Sequence, residues 1–336
     1  MKAAVIIGPR EITVNEVDAP RADANHILVK VTDICICGSD LQIWNVGLSG
    51  WRPGHEYSGI VVDPGPLSGK INKGDRVTSI TINPDFSCLY CLAGQEQLCN
   101  ENVFSPGSHP EVPGACSEYF AARADLIRKL PDNVSNEEGA IVEACAVALH
   151  AARKVEIKSG DRVLISGTGC IGSLIADYCR YFGADLVVGT DVNMTRASRL
   201  VESGTCNAVF DAKDPDINKQ LLEMSGGGFD ICFEASGVLA AINQSLIVLK
   251  KGHTMVLVGA CLDRIELLNL LMGEYKLVSS YAYTVTEFDE VISLMAAEKI
   301  DYKRYIGKVF KLEDIQQAYE YRGQGDTPDF KVLVKM

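Results

Sequence analysis

Residues 162–191 read RVLISGTGCIGSLIADYCRYFGADLVVGTD, and no other stretch restricts the fold as strongly. An apolar run of strand length leads into Gly167, Gly169 and Gly172 at G-x-G-x-x-G spacing. A segment with apolar residues at helical spacing follows, then a second apolar strand ending in Asp191. Glycines in such a turn let the backbone approach a pyrophosphate, whose charge sits on the N–H groups opening the helix at Cys170 and Ile171. Asp191 lies 24 residues after Gly167, where its carboxylate accepts hydrogen bonds from ribose hydroxyls and repels a 2′-phosphate. The motif therefore points to NAD rather than NADP. Cys170 packs within the turn. Arg196 either leans on the adenine side or is an exposed helix arginine.

The alternation continues on both sides of this unit. The strands DRVLISG, DLVVGTD, AVFDA, FDICFEA, TMVLVGA and KLVSSYAY are separated by SLIADYCRYFG, TRASRLVESG, PDINKQLLEM and VLAAINQSLIVLKKG. Strict alternation predicts an α/β fold with a doubly wound parallel sheet. Before residue 136 the texture differs. KAAVIIG, EITVNEV, HILVKVTDICIC, YSGIVVD, DRVTSITI and SEYFAA are short β-rich runs broken by Gly, Pro and Asn, which predicts a mostly antiparallel β domain. The tail, TEFDEVISLMAAEK followed by YIGKVF and DFKVLVKM, is expected to return to that domain. Residues 1–147 and 286–336 thus form one expected domain and residues 148–285 the other.

The β domain carries the metal-ligating residue types. The segment DFSCLYCLAGQEQLC spaces Cys88, Cys91 and Cys99 for a metal, and the two-residue gap repeated backwards lands on Asp85, giving D-x2-C-x2-C-x7-C. Three thiolates and a carboxylate fill a tetrahedral zinc shell with no position left for substrate, so this site would be structural. The alternative is an emptied remnant with three free thiols. Elsewhere ICGSD offers Cys37, and PGHEYSG offers His55 with Glu56 beside it. Thiolate, imidazole and carboxylate are ligand types of a catalytic zinc that keeps one position open, but spacing alone equally allows a strand thiol, a hydrogen-bonded histidine and a surface charge. Glu143 is the lone carboxylate in GAIVEACAVALHAA, where a cation would relieve its buried charge, unless the side chain reaches solvent.

Twelve cysteines without an export signal in MKAAVIIGPREITVNEV suggest thiols in a reducing cytoplasm rather than disulfides. A formal net charge of -12 with no basic cluster argues against nucleic acid as a partner. No apolar run approaches the ~18 residues of a membrane helix.

Together, ICGSD, PGHEYSG, the cysteine loop, SEYFAA, VEACAVALHAA, GTGCIG and Asp191, in that order, resemble the zinc-dependent medium-chain alcohol dehydrogenases. The likeness is greatest to the polyol branch of sorbitol, galactitol phosphate, butanediol and threonine dehydrogenases. The resemblance implies a GroES-like catalytic domain beside a Rossmann domain, with the substrate pocket expected in the cleft between them; Trp44 and Trp51 either flank its mouth or, as loop tryptophans do at least as often, pack into the core. It implies a catalytic zinc on Cys37, His55 and Glu143, with Glu56 behind it or exchanging as a ligand. It also implies a structural zinc on Asp85, Cys88, Cys91 and Cys99, where Asp85 replaces the usual first cysteine, and a proton path that starts at Ser39. Gln42 stands where many relatives have a relay histidine. The implied reaction is hydride transfer between a secondary alcohol, a small-molecule polyol or diol, and NAD. Its rivals are a sugar-modifying enzyme that oxidises transiently and a non-catalytic sensor of NAD or sugar. A phosphorylated substrate would need a basic grip such as Arg52 or Lys303. Relatives imply a homodimer or homotetramer, with TMVLVGA and LLNLLM as candidate pairing segments.

Overall fold

The computed structural model describes residues 1–263 and 267–336, leaving aside the side chains of residues 104, 267 and 269. Two of the residues in LLNLLM therefore lie outside the described side chains. The backbone divides into two compact units, residues 1–146, 283–325 and 329–336 forming the first and residues 147–282 and 326–328 the second.

In the first unit β1 (Lys2–Gly8) and β2 (Glu11–Glu16) make an antiparallel hairpin. The elements that follow are β3 (His26–Cys35), α1 (Gly38–Val46), β4 (Glu56–Asp63), β5 (Arg76–Ser79), α2 (Leu89–Leu92), β6 (Tyr119–Arg123), β7 (Ile127–Lys129) and α3 (Asn136–Ala152). Strand β3 shows why the chain becomes a sheet here. Ile27, Val29 and Val31 alternate with accessible neighbours and are fully buried, each contributing ~1.5–3 kcal/mol by leaving water. From Asp33 to Cys35 both faces are covered, so the end of β3 that leads to Cys37 lies deep in the core.

The second unit contains β8 (Arg162–Ser166), α4 (Cys170–Tyr181), β9 (Leu186–Asp191), α5 (Met194–Glu202), β10 (Ala208–Asp211), α6 (Ile217–Ser225), β11 (Phe229–Glu234), α7 (Leu239–Val248), β12 (Leu249–Leu257), α8 (Leu267–Gly273) and β13 (Lys276–Ser279). All six strands are parallel, in the order β10-β9-β8-β11-β12-β13. The winding reverses between β8 and β11, the place where such sheets bind ligands beyond the carboxyl ends of their strands. The chain then adds α9 (Val285–Ala296), β14 (Ile306–Lys311), α10 (Ile315–Gly323) and β15 (Lys331–Lys335) to the first unit, whose main sheet runs β14-β15-β3-β4-β5-β7 with β6 also on β3. Residues 326–328 depart from the sequence-based division. Asn193 donates to the Thr327 carbonyl at 2.8 Å and Arg199 to that of Pro328, tying this short segment to the second unit.

Three further expectations are decided by the structure. VLAAINQSLIVLKKG ends as helix at Val248, because Leu249 already pairs with Phe229 and residues 250–253 bulge out before pairing resumes at Thr254. Within TMVLVGA, Thr254–Leu257 has no free edge for strand pairing with a second copy, since β12 is hydrogen-bonded to β11 on one side and β13 on the other. Of the two readings open for Trp44 and Trp51, both side chains take the core one. Trp44 is 1% exposed and edge-on to Tyr319, while Trp51 is 7% exposed and donates its indole N–H to the Gly107 carbonyl. An indole's large apolar area favours the core when its one donor finds an acceptor there.

Candidate metal and dinucleotide sites

The first unit brings Cys37, His55 and Glu56 together, one ligand atom of each lying within 4.8 Å of the others. The sheet accounts for this convergence. β3 delivers Cys37 just past its carboxyl end, and the pairing of Cys35 with Glu56 sets β4 alongside. Cys37 is the residue before α1, and its backbone N–H donates to Asp40 Oδ2 at 3.0 Å. Ser39 and Gln42 lie on α1, both exposed.

Sequence reasoning missed Asp40. It is 1% exposed, and its Oδ1 faces His55 Nδ1 at 3.6 Å, neither atom having a hydrogen-bond partner among the described residues. Burial pushes the Asp40 carboxyl upward. Burial also works against a protonated His55, but the charges of Asp40, Cys37 and Glu143 outweigh it and hold the imidazole well above its ordinary value. Glu143 lies outside the 4.8 Å set, yet its charge reaches His55, and burial pushes its own carboxyl up to about 7. The pattern is that of a pocket short of a cation: buried acids and a thiol crowd one imidazole, and burial pushes the Asp40 and Glu143 carboxyls upward. A divalent metal on a neutral His55 would supply the charge, leaving Nδ1–H to point at the orphaned Asp40 oxygen, the usual partner arrangement of a ligating histidine. The donors fit zinc.

Glu56 is held from behind. Both its oxygens accept from Lys331 Nζ, at 2.5 and 2.6 Å, with the two side chains 1% and 3% exposed. Lys331 was also missed. Its only sequence signal is a lysine opening the apolar strand KVLVK.

Asp85, Cys88, Cys91 and Cys99 form the second cluster within 4.8 Å. Asp85 Oδ1 accepts from the backbone N–H groups of Cys88 and Ser87 at 2.8 and 2.7 Å, which lowers its carboxyl to about 2. The Asp85 N–H in turn points at Cys99 Sγ, 3.4 Å away. Hydrogen bonds within the loop hold Asp85 and Cys99 close together, and a carboxylate lowered in this way suits a cation. Elemental analysis of the purified protein is expected to give two zinc ions per chain. Cys91→Ala should reduce this to one and leave the Cys37 cluster loaded, and equal loss from both sites would contradict two independent clusters.

In the second unit a cavity of about 530 Å3 opens at the carboxyl ends of β8, β9 and β11, lined by Gly167, Gly169, Asp191, Arg196, Lys213 and Ser236 among others. Gly167 has φ +88°, and a Cβ there would strike Ser236; one on Gly172 would run into the Gly167 carbonyl. The turn thus needs both glycines. The first turn of α4, with Cys170 at its first position, presents the N–H groups of Ile171 and Gly172. Asp191 accepts from the Asn193 N–H at 2.8 Å and the Thr168 hydroxyl at 3.2 Å. Arg196 is not the exposed helix arginine that sequence allowed. Its guanidinium lies 3.4 Å from Asp191 Oδ2, and the side chain is 12% exposed. The residues fit a dinucleotide whose ribose hydroxyls meet Asp191.

A chain with a thiolate–imidazole–carboxylate cluster in one unit and a dinucleotide turn in the other is a metal-dependent, nicotinamide-linked oxidoreductase. Two family models match it, the alcohol dehydrogenase GroES-like domain over residues 23–132 and the zinc-binding dehydrogenase domain over residues 170–297. Sorbitol dehydrogenase of Bombyx mori is 28% identical over 99% of this chain and 97% of its own. Among solved structures, L-idonate 5-dehydrogenase of Escherichia coli K-12 superposes with TM-score 0.88 at 27% identity, covering 100% of this chain and 98% of that one. For 2R,3R-butanediol dehydrogenase of Bacillus subtilis the TM-score is 0.86 at 26% identity, covering 100% and 99%. The chain belongs to the zinc-dependent medium-chain alcohol dehydrogenases, in their polyol branch. Its cofactors are zinc and NAD(H).

Proposed function

We propose that this protein oxidises a secondary hydroxyl of a polyol, sugar alcohol or related diol and passes the hydride to NAD. The observation that carries the reading is the convergence of Cys37, His55 and Glu56, with Glu143 close enough to act on His55, inside a chain that also has the G-x-G-x-x-G turn and Asp191. When bound, zinc makes an alcohol oxygen more acidic and NAD accepts the hydride.

The protein's own groups do the rest. Cys37, His55 and Glu143 would hold the metal. Asp40 keeps the imidazole turned so that its other nitrogen is available, and Lys331 holds Glu56 back. Ser39, exposed in the first turn of α1, takes the alcohol's proton toward water; Gln42 cannot hold that proton as a histidine would. In the second unit Asp191 accepts from the ribose hydroxyls and disfavours a 2′-phosphate. Among the described residues no helix is long and apolar enough to cross a membrane. The setting we propose is the reducing cytoplasm, where the thiolates of both clusters stay available to zinc.

The test follows absorbance of reduced cofactor with NAD and a panel that includes sorbitol, xylitol, 2,3-butanediol and L-idonate. Reduction on at least one member is expected, with loss on exhaustive chelation and recovery on adding zinc. Turnover that survives complete metal removal would refute the proposal.

A further inference from the structure

The first unit holds a second cavity, of about 580 Å3, none of whose lining residues belongs to the Cys37 cluster or is Glu143. Its size suits a small organic ligand. Ile80, Ile82, Phe120 and Leu126 give it buried apolar walls. Arg52 also lines it, three residues before His55. The Arg52 side chain is half-buried and, among the described residues, makes no hydrogen bond or ion pair, although its carbonyl accepts from Gly114. Burial weakens its hold on its proton.

The other charged groups around this cavity are already engaged or outside it. Arg123 is committed to Asp125, Asn83 and the Pro84 carbonyl. Asp23 is exposed and held by the His26 ring and by backbone N–H groups, and Asp18 is exposed. Tyr119, another lining residue, makes no side-chain hydrogen bond among the described residues. A guanidinium partly withdrawn from water over apolar walls, with no counter-ion, is an unfavourable arrangement that a bound anion relieves. Its planar fork matches a carboxylate with two parallel bonds. Among the described residues Arg52 is the one unpaired cation of the lining, since the Met1 ammonium is taken by the Val17 carbonyl and Glu16, and with two acids near the rim it suits a single negative charge better than the double charge of a phosphate monoester.

We propose that this cavity binds an organic monocarboxylic acid, its carboxylate on Arg52 and its apolar or aromatic body against Ile80, Ile82 and Phe120. Lys303, the other basic candidate, is exposed and does not line the cavity. The binding residues are separate from those of the proposed reaction, so the site can be tested whether or not a polyol is turned over.

The experiment titrates 3-phenylpropionate, hexanoate and benzoate into the zinc-loaded protein by calorimetry and saturation-transfer NMR, with inorganic phosphate as the comparison anion. At least one carboxylate is expected to bind and phosphate to bind more weakly or not at all. Arg52→Leu should weaken the carboxylate about ten- to a hundredfold, the loss of a charge-assisted pair, and Arg52→Lys should lose less. Ala121→Phe, which fills the cavity and leaves Arg52 intact, should abolish binding and keeps the test open if the arginine variants fold poorly. Equal affinity in wild type and Arg52→Leu, preference for phosphate, or no binding of any of the three carboxylates would overturn the proposal.

Discussion

His55→Ala is expected to remove one zinc ion per chain and to lower kcat/KM for polyol oxidation by about three powers of ten or more. The size follows from the several kcal/mol of charge stabilisation that a bound metal gives a developing alkoxide, at about 1.4 kcal/mol for each tenfold. The structure adds a reason for the direction in the metal-free protein as well. His55 is the imidazolium that balances Asp40, Cys37 and Glu143, so its loss leaves those groups with one cation fewer. The variant should therefore lose stability even after chelation, when the wild type has no metal to lose either. Asp40→Asn provides the scale. It keeps the ligands and replaces the carboxylate that faces Nδ1 and accepts the Cys37 N–H, for which a ~10–100-fold loss of activity or metal affinity is expected. Metal analysis alongside steady-state kinetics checks both. A His55→Ala protein that kept two zinc ions and a tenth of its turnover would remove His55 from the site.

What could be read from the chain alone follows how far apart the interacting residues lie. The glycine turn, α4 and Asp191 fall within 30 residues, and the pattern of that stretch is enough to fix a strand–turn–helix–strand unit. Asp85, Cys88, Cys91 and Cys99 are legible for the same reason, since a loop that short can close on one ion. Cys37, His55 and Glu56 are recognisable as residue types, but nothing in their spacing says they meet; that depends on strands β3 and β4 pairing side by side, while Glu143 comes from α3 and reaches His55 by its charge. Asp40 stood in plain view within ICGSD, and its role was hidden because a carboxylate opening a helix looks like an ordinary cap. Arg196 looked like surface charge because helical spacing gives no sign that the turn after β9 folds Asp191 back toward it. Trp44 and Trp51 could be read as pocket residues because partners such as Tyr319 arrive from far along the chain.

Lys331 is the limiting case, and its replacement should have the largest effect on stability. It lies 275 residues from Glu56, and they meet because β15 pairs with β3 while β3 pairs with β4. Lys331→Met would leave a carboxylate at 1% exposure with its cation gone, for which a loss of about 3–5 kcal/mol is expected. An exposed pair such as Lys2 with Glu313 should matter far less, because water replaces whichever partner is removed. The converse experiment separates the pair from the lone charge. Glu56→Leu combined with Lys331→Met removes both desolvated ions and should recover wild-type stability or exceed it, since two buried charges regain little more than their desolvation when they meet. The chain's two tryptophans, Trp44 and Trp51, both lie in the first unit, as do Glu56 and Lys331, so urea unfolding followed by tryptophan fluorescence reports on this pair without interference from the dinucleotide unit. If the single variant unfolded at the wild-type urea midpoint, the short contacts between Lys331 Nζ and Glu56 would have no energetic weight. If the double variant were as unstable as the single one, the lysine would instead be acting through its packing rather than its charge.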